Sequence, residues 1–161
     1  MKVSVMKLRS FLFAGVLFLL AFPLFATAKD IPAGKWAGTW VANTEKSKFP
    51  GTAPKLDQVT IQADGSIAVH VESADGKVAD WSYKPQVGKF VSIQGRDNVT
   101  VKIVKVSDYR LNQVWNSKGK IKQSHATLSK DGKTQTFYAA PGKDKDGKPF
   151  QEVVVYEKQS S

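Results

Sequence analysis

Cysteine is absent from all 161 residues. That excludes disulfides, a thiol nucleophile, thiolate metal sites and a lipid-bearing cysteine at a processing site. Histidine is scarce: His70 and His125 are the two side chains whose ordinary pKa lies near neutrality. Acidic residues are also in short supply, 14 against 24 lysines and arginines, for a net charge of +10. No Asp, Glu and His residues are grouped at ligand spacing, so no metal is expected. Asp144-Lys145-Asp146-Gly147 opens like a calcium loop, but Val155 stands where the closing glutamate belongs. The segment therefore reads as a hydrophilic hairpin. Beyond residue 28 no apolar run reaches the ~20 residues that a helical membrane span requires.

What is present begins with a targeting segment. Lys2, Lys7 and Arg9 make a basic start, Phe11 to Phe25 is apolar and broken by Pro23, and Ala26-Thr27-Ala28 follows. Basic start, short apolar stretch and small-x-small end are the pattern of a cleaved secretory signal. Residues 1–28 are thus expected to be removed after Ala28, leaving 29–161 as one domain in a bacterial periplasm or outside the cell. A secreted chain without disulfides must rest on its core alone. The leader's three basic residues lower the net charge of the remainder from +10 to +7. The remaining lysines alternate with aspartates and sit in turns, where they favour solubility and block pairing between sheet edges. They form no basic stripe interleaved with exposed aromatics, so no nucleic-acid partner is expected.

Gly-Lys recurs at 76–77, 88–89, 119–120, 132–133 and 147–148, and Asp64-Gly65 precedes the series. Glycine supplies the positive φ of tight hairpin turns, and a neighbouring Asp or Asn tolerates the same region. Between these turns the residues alternate. Ile67, Val69 and Val71 oppose Ala68, His70 and Glu72, and Trp81 and Tyr83 oppose Asp80 and Ser82. The pattern predicts strands over 35–43, 56–63, 66–72, 78–84, 90–93, 98–106, 109–116, 121–129, 134–140 and 150–158. The intervening 44–55 is punctuated by Pro50, Gly51 and Pro54, and no amphipathic helix is evident. Local connections make an antiparallel meander, and closing it into a barrel is the simplest way to remove its edges. The expected fold is all-β, an up-and-down barrel of about 8–10 strands, wide enough to hold a small ligand.

Gly38-Thr39-Trp40-Val41-Ala42-Asn43, followed by Lys46-Ser47-Lys48-Phe49, resembles the opening Gly-x-Trp strand of the calycins, which include lipocalins and fatty-acid-binding proteins. Val154-Val155-Tyr156-Glu157-Lys158 is similar to the last strand of fatty-acid-binding proteins. With Ser129 to Thr134 included, the chain most resembles short secreted bacterial lipocalin-like proteins. The resemblance implies structural roles for Gly38 and Trp40, the tryptophan plugging one barrel end beneath the last strands. Two departures matter. Residues 44–55 are too short and too proline-broken for the helix-turn-helix cap of fatty-acid-binding proteins. Tyr156 matches the tyrosine of their Arg-x-Tyr carboxylate grip, but Val154 stands at the arginine position.

Catalysis finds little support in the residues. His70 falls on the polar face of its strand, and the inward face around His125 is unassigned, so a haem-ligating role for His125 stays open. Adjacent Ser124 and His125 point to opposite faces of a strand and form no triad. The aromatics carry more information. Trp81, Tyr83, Val101, Ile103, Trp115, Phe137 and Tyr156 are the candidate cavity-lining residues. Together these readings favour a non-catalytic, cofactor-free binding protein for a small apolar or amphipathic molecule. The alternative is an envelope interaction module, of inhibitor or adhesion type, with a filled barrel.

Overall fold

The computed structural model describes residues 33–160. The expected leader and its cleavage point after Ala28 lie outside the described residues. A 3-10 turn, Gly34–Trp36, leads into β1 (Gly38–Ala42), β2 (Leu56–Ile61), β3 (Ile67–Glu72), β4 (Val78–Tyr83), β5 (Phe90–Ser92) and β6 (Val99–Ser107). Then follow β7 (Arg110–Ser117), β8 (Lys120–Leu128), β9 (Thr134–Tyr138), β10 (Gly142–Lys143), β11 (Pro149–Phe150) and β12 (Val153–Lys158). Ten strands form one antiparallel sheet in the order β4-β3-β2-β1-β12-β9-β8-β7-β6-β5. β10 and β11 pair separately as the hydrophilic hairpin expected around Asp144.

The first and last long strands meet in the middle of the sheet, with Val41 opposite Glu157. The free edges are therefore β4 and β5, and the barrel closes where they approach. One bridge joins them. The Ser82 and Gln94 amides each donate to the other residue's carbonyl, at 3.1 and 2.9 Å. Gly95 makes the approach feasible: at φ +83 it occupies backbone space that a Cβ could share only by running into the Asp80 carbonyl oxygen. The result is a nearly closed up-and-down barrel.

Two differences from the sequence reading stand out. The strand expected from Lys35 starts at Gly38, because residues 34–36 coil into the 3-10 turn that seats Trp36 in the core. The strand expected from Phe150 starts at Val153, since Phe150 is committed to the β10–β11 hairpin. Gly38 itself has φ +135, and a Cβ there would lie 2.5 Å from Lys158 Cε. The backbone at β1's entry thus calls for glycine, while the Lys158 side-chain end could swing away from a Cβ.

Packing is densest at one end of the barrel. Trp40 is wholly buried, and its Nε1 proton goes to the Trp36 carbonyl at 2.9 Å. Trp36 Nε1 donates in turn to the Asp108 carbonyl at 2.9 Å, tying the plug to the turn between β6 and β7. Ile61, Tyr83, Ile93, Ile103, Leu111 and Leu128 join Trp36 and Trp40 in the core. The opposite end is framed by the 43–55 loop and the β10–β11 hairpin, which touch where Lys145 N donates to Pro50 O at 3.2 Å. The loop is held along β12: Val155 N donates to Ser47 Oγ at 2.9 Å, and Ser47 Oγ donates to Asn43 O at 2.7 Å. No α-helix occurs among the described residues.

Candidate functional site

The barrel encloses an open-mouthed cavity of about 960 Å³. Strand alternation builds its wall: Val59 and Ile61 from β2, Val69 and Val71 from β3, Trp81 and Tyr83 from β4 all point inward. Leu111 and Trp115 from β7, Ala126 from β8, Phe137 from β9 and Val154 from β12 continue it around. Six of the seven sequence-predicted lining residues, Trp81, Tyr83, Ile103, Trp115, Phe137 and Tyr156, border this space. Val101 does not. It is fully buried in the core instead. The Tyr83 and Trp115 rings meet edge to face, 6.3 Å between centroids and 76° between planes.

The wall carries three polar groups, and of their members the sequence reading named only Tyr156 and Trp115 as lining residues. On one side, Tyr156 reaches past Ala42 of β1 and donates its hydroxyl proton to Asp57 Oδ2 at 2.9 Å. Gln135, the cross-strand partner of Tyr156, lies beside it, and Glu152 lines the same space. Burial raises the Asp57 carboxyl above its ordinary pKa, and the Tyr156 hydrogen bond offsets only part of the effect. Glu152 is raised as well, by burial and then by the charge of Asp57. The Tyr156 hydroxyl is held far above its ordinary value, first by burial and then by Asp57. Asp57 Oδ1 and Gln135 Oε1 are buried and have no hydrogen-bond partner among the described residues.

The second polar group is internally satisfied. Trp115 Nε1 donates to Ser124 Oγ at 2.9 Å and to Gln113 Oε1 at 3.2 Å, and Ser124 Oγ donates to Gln113 Oε1 at 3.2 Å. The third is Arg96, whose guanidinium lies 3.7 Å above the Trp81 ring at the β4–β5 closure. Val154 brings no charge to β12, so the one arginine bordering the cavity comes from the turn after β5. Lys120, Lys122 and Lys143 border the mouth with their side chains exposed.

Both histidines lie on the outer surface. His70 Nδ1 is 2.7 Å from Asp80 Oδ1 across β3 and β4. His125 stacks on Tyr138, 4.5 Å between centroids and 13° between planes. Burial, then the charge of Arg110, lowers its pKa. An axial role toward an interior haem is thereby excluded for His125 by direction alone. Among the described residues no three His, Asp or Glu side chains are grouped to hold a metal ion. No helix there is long and apolar enough to cross a membrane.

The architecture is that of a calycin-like barrel. Solved structures of the fluorescent protein UnaG share it. The wild type superposes with a TM-score of 0.52 at 16% identity, covering 79% of this chain and 99% of UnaG. Two UnaG point mutants, each altered at the same asparagine, give 0.55 and 0.56 at 17% identity, each covering 80% of this chain and 99% of theirs. At that identity the likeness shows the fold. No protein-family profile and no curated protein sequence matches the chain.

Proposed function

We propose that this chain is a non-catalytic binding protein for a small apolar or amphipathic molecule, exported across a bacterial inner membrane and freed of its leader after Ala28. The observation that carries the reading is the aromatic-lined cavity of about 960 Å³. It is at the upper end of the volumes that hold drug-sized ligands, and apolar walls with a few placed polar groups are how such sites are built. The outward direction of His70 and His125 supports binding without chemistry. An open interior weighs against a filled barrel acting only through its surface. The basic start and Ala26-Thr27-Ala28 support export.

The test is titration with N-phenyl-1-naphthylamine, a neutral apolar probe. Saturable quenching of tryptophan emission at one-to-one stoichiometry is expected. Trp115→Ala should weaken the complex while costing less stability than Trp40→Ala, because Trp115 already faces open space. An absence of saturable quenching with this and differently shaped apolar probes would refute the binding role.

A further inference from the structure

We propose that the occupant is an amphipathic organic amine whose protonated nitrogen docks between Asp57 and Gln135, with Glu152 as the second carboxylate. The inference rests on the cavity-binding reading and names the ligand class. Its starting point is the sign of what is missing. Both buried side-chain atoms without a partner among the described residues, Asp57 Oδ1 and Gln135 Oε1, are acceptors. An acceptor is satisfied only by a donor, and an ammonium offers three donors with no acceptor of its own. Gln135 is 7% exposed, and its side chain borders the same cavity as Asp57 and Glu152, so an entering ammonium must turn the two buried oxygens toward it.

The hydrogen-bond arithmetic leaves that place open. Tyr156 spends its one proton on Asp57 Oδ2, so the other carboxylate oxygen has nothing to accept. Two carboxyl groups in one poorly solvated wall resist joint ionisation, and a cation placed between them relieves both at once. Asp57 already acts on Glu152 in this way, raising it through charge. Beyond the polar spot, Trp81, Trp115 and Phe137 line the space left for an aromatic or aliphatic body. The competing charges are differently placed. Lys120, Lys122 and Lys143 are exposed at the mouth, where solvent screens them, and Arg96 is stacked on Trp81. A carboxylate seated against Asp57 and Glu152 would meet like charge.

Calorimetric titration with three ligands on one skeleton decides the matter: tryptamine, tryptophol and indole-3-acetate, at neutral pH. Tryptamine should bind at least about tenfold tighter than tryptophol, as charge-assisted hydrogen bonds exceed neutral ones, and indole-3-acetate should bind weakest. Asp57→Asn, which keeps an acceptor for Tyr156, should reduce the amine's advantage to within about twofold. Gln135→Leu should weaken tryptamine more than tryptophol. If Asp57→Asn fails to fold, Glu152→Gln carries the same comparison. Tighter binding of indole-3-acetate would assign the specificity to Arg96 and the rim lysines and overturn the inference. So would an amine preference untouched by the variants, or N-phenyl-1-naphthylamine binding with no preference for tryptamine. Those results leave the cavity-binding role standing. A cavity that takes up neither that probe nor any of the three indoles would overturn both.

Discussion

Trp40 and Asp57 sit one strand apart and illustrate opposite uses of burial. Trp40 is wholly enclosed and hydrogen-bonded to Trp36. Trp40→Ala is expected to destabilise the fold by ~3–5 kcal/mol, the range for truncating a large buried aromatic. A thermal melt shifted by only a degree or two would refute its role as a plug. Asp57 is held in the wall with its pKa raised. A carboxyl shifted upward contributes its stability below the unfolded value, 3.8 for Asp57, and loses it as pH rises through the folded value. Wild type should therefore lose stability relative to Asp57→Asn as pH rises from about 4 toward neutrality. Asp64, which the Ser66 amide and Lys84 hold down to about 2, acts in the opposite sense but cancels in this comparison. Parallel melting profiles for the two proteins across that range would show that Asp57 does not titrate differently on folding. The signal for this site was in the sequence. Asp57 shares strand parity with Val59 and Ile61, Gln135 with Phe137, and Glu152 with Val154 and Tyr156. Period-two reading therefore places all of them inward. Arg96 had no such signal, because its stacking on Trp81 depends on a contact between two strands that are not paired along their length.

At the scale of elements, alternation and Gly-Lys turns were enough to locate the ten strands of the main sheet. Boundaries moved where something other than alternation governed: the 3-10 turn before β1 and the small hairpin before β12. Neither has a periodic signature: the 3-10 turn seats Trp36 in the core, and the hairpin is held by turn bonds such as Gly147 N to Asp144 O. The β4–β5 closure is the least supported junction of the barrel, resting on the single Ser82–Gln94 backbone bridge, on Gly95 and on the Arg96–Trp81 stack. Gly95→Ala adds a methyl group against the Asp80 carbonyl and strains a residue at φ +83. A loss of about 1–3 kcal/mol is expected from such strain. The expected signature is local: amide exchange at Ser82 and Gln94 should accelerate well before β7 and β8 are affected. Unchanged protection at those two amides would show that Gly95 does not clamp the junction.

Across the whole molecule, the barrel and its aromatic lining followed from sequence, and the interior volume did not. Whether ten strands pack shut or enclose space depends on shear and on how far opposing side chains reach. Small residues such as Ala126 and Ser124 line the cavity alongside Trp115 and Phe137, and the space left is a sum over distant positions that no local pattern reports. The proposed export has a direct check. N-terminal sequencing of the exported protein should read Lys-Asp-Ile-Pro. A mature protein that still carries Phe11 to Phe25 would refute cleavage after Ala28.

The pairing of β1 with β12 has a consequence for how the chain must assemble. The strand made first finds one of its neighbours, β2, at once, but its other neighbour is made last. Until then β1 presents an unpaired edge, and joining it to β12 closes a loop spanning nearly the whole domain, the slow kind of contact. A circular permutant linking Ser160 to Ala33 and opened between β4 and β5 removes that wait. Every strand of its sheet would lie beside its sequence neighbour, and the new ends would fall where the natural barrel already parts. Gln159 N donates to Thr39 O at 2.8 Å and Lys158 Nζ to Lys35 O at 3.4 Å, so the two chain ends lie at the same end of the barrel.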